Sequence, residues 1–175
     1  GPTRYGAVIL PSIKRQEAHM NEATKPINPE KEKIHLEAES RVHTFSYAAP
    51  SEVDRVKQMV NMVRTPNVRV QVQVVHEGGE NNLHYHTNSD GVWMVLKGAA
   101  KFYGPGDKVI GDLKEMDGIC LPGGSRYWFE TTGDVPLEIL HITAVENAKT
   151  KDQRINVDKH KDWMTESNLQ VYDDK

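Results

Sequence analysis

Cysteine is nearly absent: Cys120 is the single one in 175 residues, which rules out an internal disulfide and any cysteine-rich zinc site and suits a reduced compartment. Long apolar runs are missing as well. None approaches the ~20 residues that a membrane-spanning helix needs, and the short Ala7–Pro11 patch lacks the apolar stretch and cleavage pattern of a signal peptide. Charge of one sign is also lacking. The 22 Lys and Arg face 25 Asp and Glu for a net charge of −3, so there is no basic stripe for a phosphate backbone, and nucleic acid is not an expected partner. No internal repeat is visible, and the leading Gly1–Pro2 reads as a protease scar. These absences lead to the expectation of a soluble cytoplasmic protein with no membrane contact, in which Cys120, flanked by Ile119 and Leu121, is a buried wall residue rather than a nucleophile.

The length suits one domain with a core of its own. Residues 1–42 are polar and broken by Pro11, Pro26 and Pro29, with a Lys/Glu cluster at Glu30–Lys33, and read as an arm, extended or with a short helix. Residues 43–148 form the expected barrel and 149–175 a charged surface segment with Trp163 and Leu169 as docking points. Within the barrel, His43–Pro50 is β-prone. Ser51–Val63 places Val53, Val56, Val60 and Val63 at helical spacing behind a capping serine, which predicts a short helix. From Asn67 the period drops to two, with Val68, Val70, Val72 and Val74 alternating with Arg69, Gln71 and Gln73. Further strands are predicted at Val92–Leu96, Ala99–Tyr103, Lys108–Leu113, Ile119–Leu121, Tyr127–Thr131 and Leu137–Val145, with a GPGD turn at Gly104–Asp107. Short strands with Gly and Pro between them call for a small antiparallel barrel or jelly roll.

The most informative stretch is Gly78–Gly98, GGENNLHYHTNSDGVWMVLKG. It sets His84 and His86 two residues apart, and on a strand that spacing puts both imidazoles on one side. With Gly78 ahead of the pair and Gly98 behind it, the stretch resembles the first signature of the cupin superfamily. Glu115–Glu130, EMDGICLPGGSRYWFE, resembles the second, with Asp117, Pro122 and Gly124 in register. The resemblance covers roughly residues 68–145. It implies an all-β fold, an antiparallel double-stranded β-helix or jelly-roll barrel, here with a short N-terminal helix and an extended arm.

Two positions depart from the family pattern: Gly91 stands where a glutamate ligand is usual and Tyr127 where a third histidine is. Asp90, Tyr127 and His141 are the candidates to complete a site, although Asp90 also suits a turn with Asn88 and Gly91. His76 is placed near the rim, and His19, His35, His43 and His160 at the surface. Strand parity turns Gly91, Trp93 and Val95 inward with Tyr127 and Phe129, and sends Val92, Met94, Leu96 and Trp128 outward. Leu137, Ile139, His141 and Thr143 share one face.

The resemblance implies a divalent transition metal on His84 and His86, with Fe(II) first and Mn, Ni, Cu or Zn as alternatives that imidazole also accepts. Tyr127 and His141 are the catalytic candidates. Trp93, Phe129, Gln73 and Tyr103 are the candidates for contact with a small-molecule substrate. The function so implied is a metal-dependent dioxygenase acting on a small oxygenated or aromatic compound. A metal-dependent lyase or isomerase with Tyr127 transferring a proton, and a non-catalytic binding module, stand beside it. A homodimer is expected, with the outward row of Val92, Met94 and Leu96 as apolar surface for a second copy.

Overall fold

The computed structural model describes residues 28–51, 55–159, 161, 164 and 169–173. The chain divides into two units, residues 1–44 and 45–175. In the first, helix α1 (Pro29–Glu39) starts where the sequence supplies a cap: the Asn28 side chain accepts from the Glu30 N–H at 2.9 Å, Pro29 sits in the first turn, and Glu30 and Glu32 place negative charge at the positive end of the helix dipole. The Lys/Glu cluster is therefore helical. His35 and His43 are exposed, while His19 lies outside the described residues.

The second unit is all β. Its strands are β1 (Lys57–Arg64), β2 (Val68–Val75), β3 (His84–His86), β4 (Ser89–Lys97), β5 (Ala99–Tyr103), β6 (Val109–Lys114), β7 (Gly118–Leu121), β8 (Trp128–Thr131), β9 (Leu137–Val145), β10 (Arg154–Asn156) and β11 (Leu169–Asp173). They form a six-stranded sheet in the order β11-β1-β2-β9-β4-β7, a three-stranded sheet β6-β5-β8 and the pair β10-β3. All the pairings are antiparallel except β1 with β11. The core between the sheets is built on Trp93, Val95, Phe102, Phe129, Leu137 and Ile139, each buried to 1% exposure or less. The aromatic members meet edge-on or offset, with Phe102 and Phe129 centroids 5.0 Å apart. No helix among the described residues is long and apolar enough to cross a membrane.

Parity holds in β4, where Trp93 and Val95 are buried while Val92 is exposed, and in β9, where Leu137, Ile139, His141 and Thr143 form one buried row. Two glycines answer to specific constraints. Gly98 turns β4 into β5 at φ +83°, a conformation that side chains disfavour. Gly118 lies so close to β4 that a Cβ there would come 2.7 Å from the Trp93 carbonyl oxygen.

Several expectations are corrected. The helix predicted over Ser51–Val63 is not formed: β1 occupies Lys57–Arg64, and Val53 lies outside the described residues. Val56, Val60 and Val63 match a helical period, but the edge of β2 offers a full ladder from Lys57↔Val75 to Arg64↔Arg69, with a bulge after Asn61 that breaks the alternation. His43–Pro50 forms no strand, and the Tyr47 hydroxyl instead donates to Glu138 at 2.7 Å. Asn88–Gly91 is not a loop, because β4 begins at Ser89. Cys120 is exposed rather than buried, since its neighbours Ile119 and Leu121 take the inward positions of a strand of period two. In the segment after Ala148, β10 pairs with β3 and β11 with β1, so part of it belongs to the sheets. Trp163 and His160 lie outside the described residues, and of Leu169 only the backbone is described.

Candidate functional site

The site is laid out by strand register. In the first signature, His84 pairs through its backbone with Tyr127 of the second: the His84 N–H donates to the Tyr127 carbonyl at 3.1 Å, and the Tyr127 N–H donates back at 2.9 Å. Residues opposite one another in an antiparallel pair point to the same side, so imidazole and phenol stand together with ring centroids 4.6 Å apart. On the other edge of β3, β10 sets Arg154 opposite His86 and Asn156 opposite His84. Across the large sheet, Gln71, His141 and Trp93 align on three neighbouring strands, and Arg69, Thr143 and Gly91 form the next row.

These rows enclose a cavity of about 370 Å³, a size suited to a small molecule. His84, His86, Trp93, Tyr127, His141 and Gln73 line it, as the sequence places them. Lys57, Met59, Arg69, Asp152 and Arg154 join them. Phe129 and Tyr103 lie outside it. Phe129 is fully buried behind Trp93, with centroids 5.2 Å apart, and Tyr103 stacks on Trp128 while its hydroxyl donates to Glu130 at 2.6 Å. Asp90 accepts from the Gly123 N–H at 2.7 Å, and neither it nor His76 lines the cavity.

Hydrogen bonds fix the histidine tautomers. The Nδ1–H of His84 donates to the Asn82 carbonyl at 2.7 Å and the Nδ1–H of His86 to the Asp152 carboxylate at 2.9 Å, so in the neutral ring the lone pair lies on Nε2. His141 is committed at both nitrogens: the Gln71 amide donates to its Nδ1 at 3.3 Å, and its Nε2–H donates to Thr143 Oγ1 at 3.4 Å. Burial, then the nearby Arg154 charge, lowers the His84 pKa to about 3. Burial above all lowers that of His141 to about 3. Burial pushes the Tyr127 phenol well above its ordinary value. Burial together with Arg154 brings the Lys57 ammonium down to about 7. Burial works against the Asp152 carboxylate too, but the Asn88 N–H and the His86 and Ser89 side chains outweigh it and hold its pKa below the usual value.

A resident metal ion fits these donors poorly. His84 and His86 offer free Nε2 atoms, and bracing of the opposite nitrogen is what metal-ligating histidines have. A third protein ligand is wanting. His141 has no lone pair to spare, Tyr127 resists ionisation, and Gly91 carries no carboxylate; a Cβ there would lie 3.3 Å from Trp93 Nε1 and 3.4 Å from His141 Nε2. Among the described residues no three His, Cys, Asp or Glu side chains are grouped to hold an ion. Lys57, Arg69 and Arg154 add positive charge to the same walls.

Sequence reasoning missed the charged groups of the site. Arg69 continues the polar row of Gln71 and Gln73 along β2, a legible signal. Lys57 was hidden by the helical reading of its segment. Asp152 and Arg154 arrive by long-range pairing and carry no local signal.

No family model and no curated protein matches this sequence. Solved structures do. An RmlC-like cupin family protein with a double-stranded β-helix fold from Methanocaldococcus jannaschii is 17% identical, with 62% of this chain and 94% of that chain covered at a TM-score of 0.51. The Cnp3 cupin domain of Schizosaccharomyces pombe is 15% identical, covering 57% and 73% at a TM-score of 0.50. The class is therefore that of all-β jelly-roll proteins. Within it, this chain has a double-stranded β-helix fold like that of the RmlC-like cupin protein.

Proposed function

We propose that this chain binds a small oxygenated organic molecule inside its barrel and moves a proton on it, with His84 as base and Tyr127 as hydrogen-bond donor. The observation that carries this reading is the backbone-paired couple itself. A bare imidazole nitrogen and a protonated phenol, their ring centroids 4.6 Å apart, line one cavity. His84 Nε2 takes a proton from the carbon next to a carbonyl, and the C–H electron pair moves onto the carbonyl oxygen, to which the Tyr127 O–H donates. Where the deprotonated carbon bears a hydroxyl, that O–H proton passes to the former carbonyl oxygen while the first proton returns to the former carbonyl carbon, which completes an isomerisation. Alternatively, the electron pair expels a β-hydroxyl, which takes the proton and leaves as water.

The test is exchange of ligand C–H for deuterium in D2O, followed by NMR over a panel of hydroxy- and oxo-compounds. Exchange should be seen with the native chain and should fall by roughly 10²-fold or more in Tyr127→Phe. Equal exchange in that variant rejects the assignment, and tight binding without exchange supports a binding module instead.

The dioxygenase reading retains one supporting observation, the two braced imidazoles with free Nε2 atoms. It needs an ion held on the protein side by His84 and His86 alone. Stoichiometric metal in protein made without an affinity tag, with Fe(II)-dependent oxygen uptake lost in His84→Ala, would favour it over proton transfer. The outward row of Val92, Met94 and Leu96 supports a homodimer, which analytical ultracentrifugation tests. The free, exposed Cys120 supports a reducing, cytoplasmic setting.

A further inference from the structure

The cavity holds charge and hydrogen-bonding capacity that the protein leaves unmatched. Arg154 is partly buried on the wall opposite His86, and its guanidinium donates to the side-chain oxygens of Asn82 and Asn156, both neutral. No carboxylate among the described residues is within ion-pair distance of it. The carboxylate that lines the cavity, Asp152, is taken up by His86 and the Asn88 N–H, with Arg69 3.9 Å away. A cation drawn out of water onto neutral partners is costly unless a counter-charge arrives.

Two further groups are buried short of partners. Gln73 Oε1, on a side chain 5% exposed, has no donor, and Trp93 Nε1, on a side chain 1% exposed, makes no well-formed hydrogen bond, the Tyr127 phenol oxygen being the one it faces. Both residues line the same cavity as Arg154. A ligand that satisfies all three groups needs a negative charge, an acceptor oxygen and a hydroxyl hydrogen. The planar guanidinium fork matches a carboxylate, and the aromatic walls leave room for an apolar body.

Resting on the ligand-binding reading above, we propose that the natural ligand is a small hydroxylated organic carboxylate. Its carboxylate lies on Arg154, one oxygen accepts from Trp93 Nε1, and its hydroxyl donates to Gln73 Oε1. Lys57 and Arg69 reinforce the field that draws it in.

The experiment is calorimetric titration of the full chain with a matched set: lactate and mandelate as hydroxy acids, mandelamide without the charge, phenylacetate without the hydroxyl, and phenyl phosphate. A hydroxy acid should bind, with mandelamide and phenylacetate each at least tenfold weaker than mandelate. Affinity should be lost in Arg154→Gln, partly restored in Arg154→Lys, and fall with added salt. Thermal melts of both variants check the fold. Mandelamide binding as well as mandelate, unchanged affinity in Arg154→Gln, preference for phenyl phosphate, or no hydroxy acid binding at millimolar concentration would each overturn the proposal. Deuterium exchange separates the two claims: acids that bind without exchange leave this inference standing and remove the proton-transfer reading, whereas neutral ligands that bind and exchange do the reverse.

Discussion

The indole of Trp93 lies flat on the imidazole of His141, with ring centroids 3.7 Å apart and planes within 5° of parallel. Cross-strand pairing of β4 with β9 sets the two residues opposite one another, and the indole covers a histidine whose nitrogens both hold it in the sheet. Trp93→Phe should leave part of this volume empty and cost about 1–3 kcal/mol in denaturant unfolding. Unchanged stability would mean that the stack contributes little.

Acid should unfold this protein in a defined window. The folded-state pKa values of His84 and His141 are lowered to about 3, whereas the unfolded chain takes up those protons near the ordinary value of about 6.5. Between these limits the unfolded state binds more protons, so stability rises with pH from about 3 to about 6.5 and is lost on acidification. Each histidine adds a slope approaching about 1.4 kcal/mol per pH unit. Denaturant titrations at several pH values should show a shallower slope in His141→Gln.

Lys57 acts at the other end of the scale. With its pKa brought down to about 7, it binds its proton less tightly when folded than when unfolded, so stability should gain as pH rises from about 7 toward 10. Lys57→Met removes a buried ammonium and should flatten that rise. A rise of the same size in the variant would show that other groups cause it.

Placing a glutamate at position 91 should not create a metal site. Gly91→Glu forces a side chain against Trp93 Nε1 and His141 Nε2 and should lower stability by about 1–3 kcal/mol. Titration with Mn(II) or Ni(II) should show no gain in affinity over the native chain. A large gain would mean that Trp93 yields easily.

Close approach makes a separate test at Gly118, where an added methyl would meet the Trp93 carbonyl oxygen at 2.7 Å. Backbone cannot step aside as a side-chain tip can. Gly118→Ala should therefore lower the thermal midpoint more than Gly91→Ala, and the reverse order would contradict the strand spacing described here.

What was legible in the sequence was local and periodic. Trp93 and Val95 on β4, and the row from Leu137 to Thr143 on β9, were placed on the right face because a strand buried on one side repeats every two residues. His84, His86 and Tyr127 reach the cavity for the same reason. Alternation failed where two periods coincide. Val56, Val60 and Val63 satisfy a helix, and only the waiting edge of β2 decides for a strand. It fails again at Cys120, where apolar neighbours suggest burial although a strand sends adjacent residues to opposite faces. Arg154 and Asp152 were out of reach, since they enter through pairing with residues some seventy positions earlier.

The β10 strand has a consequence for anyone trimming this chain to its two signatures. A fragment ending at Ala148 would keep both imidazoles and the phenol, yet lose the anchor on His86 Nδ1 and the guanidinium opposite that ring. It would hold the cavity's ring groups in a room with one wall removed, and assays on such a fragment would say little about the intact molecule.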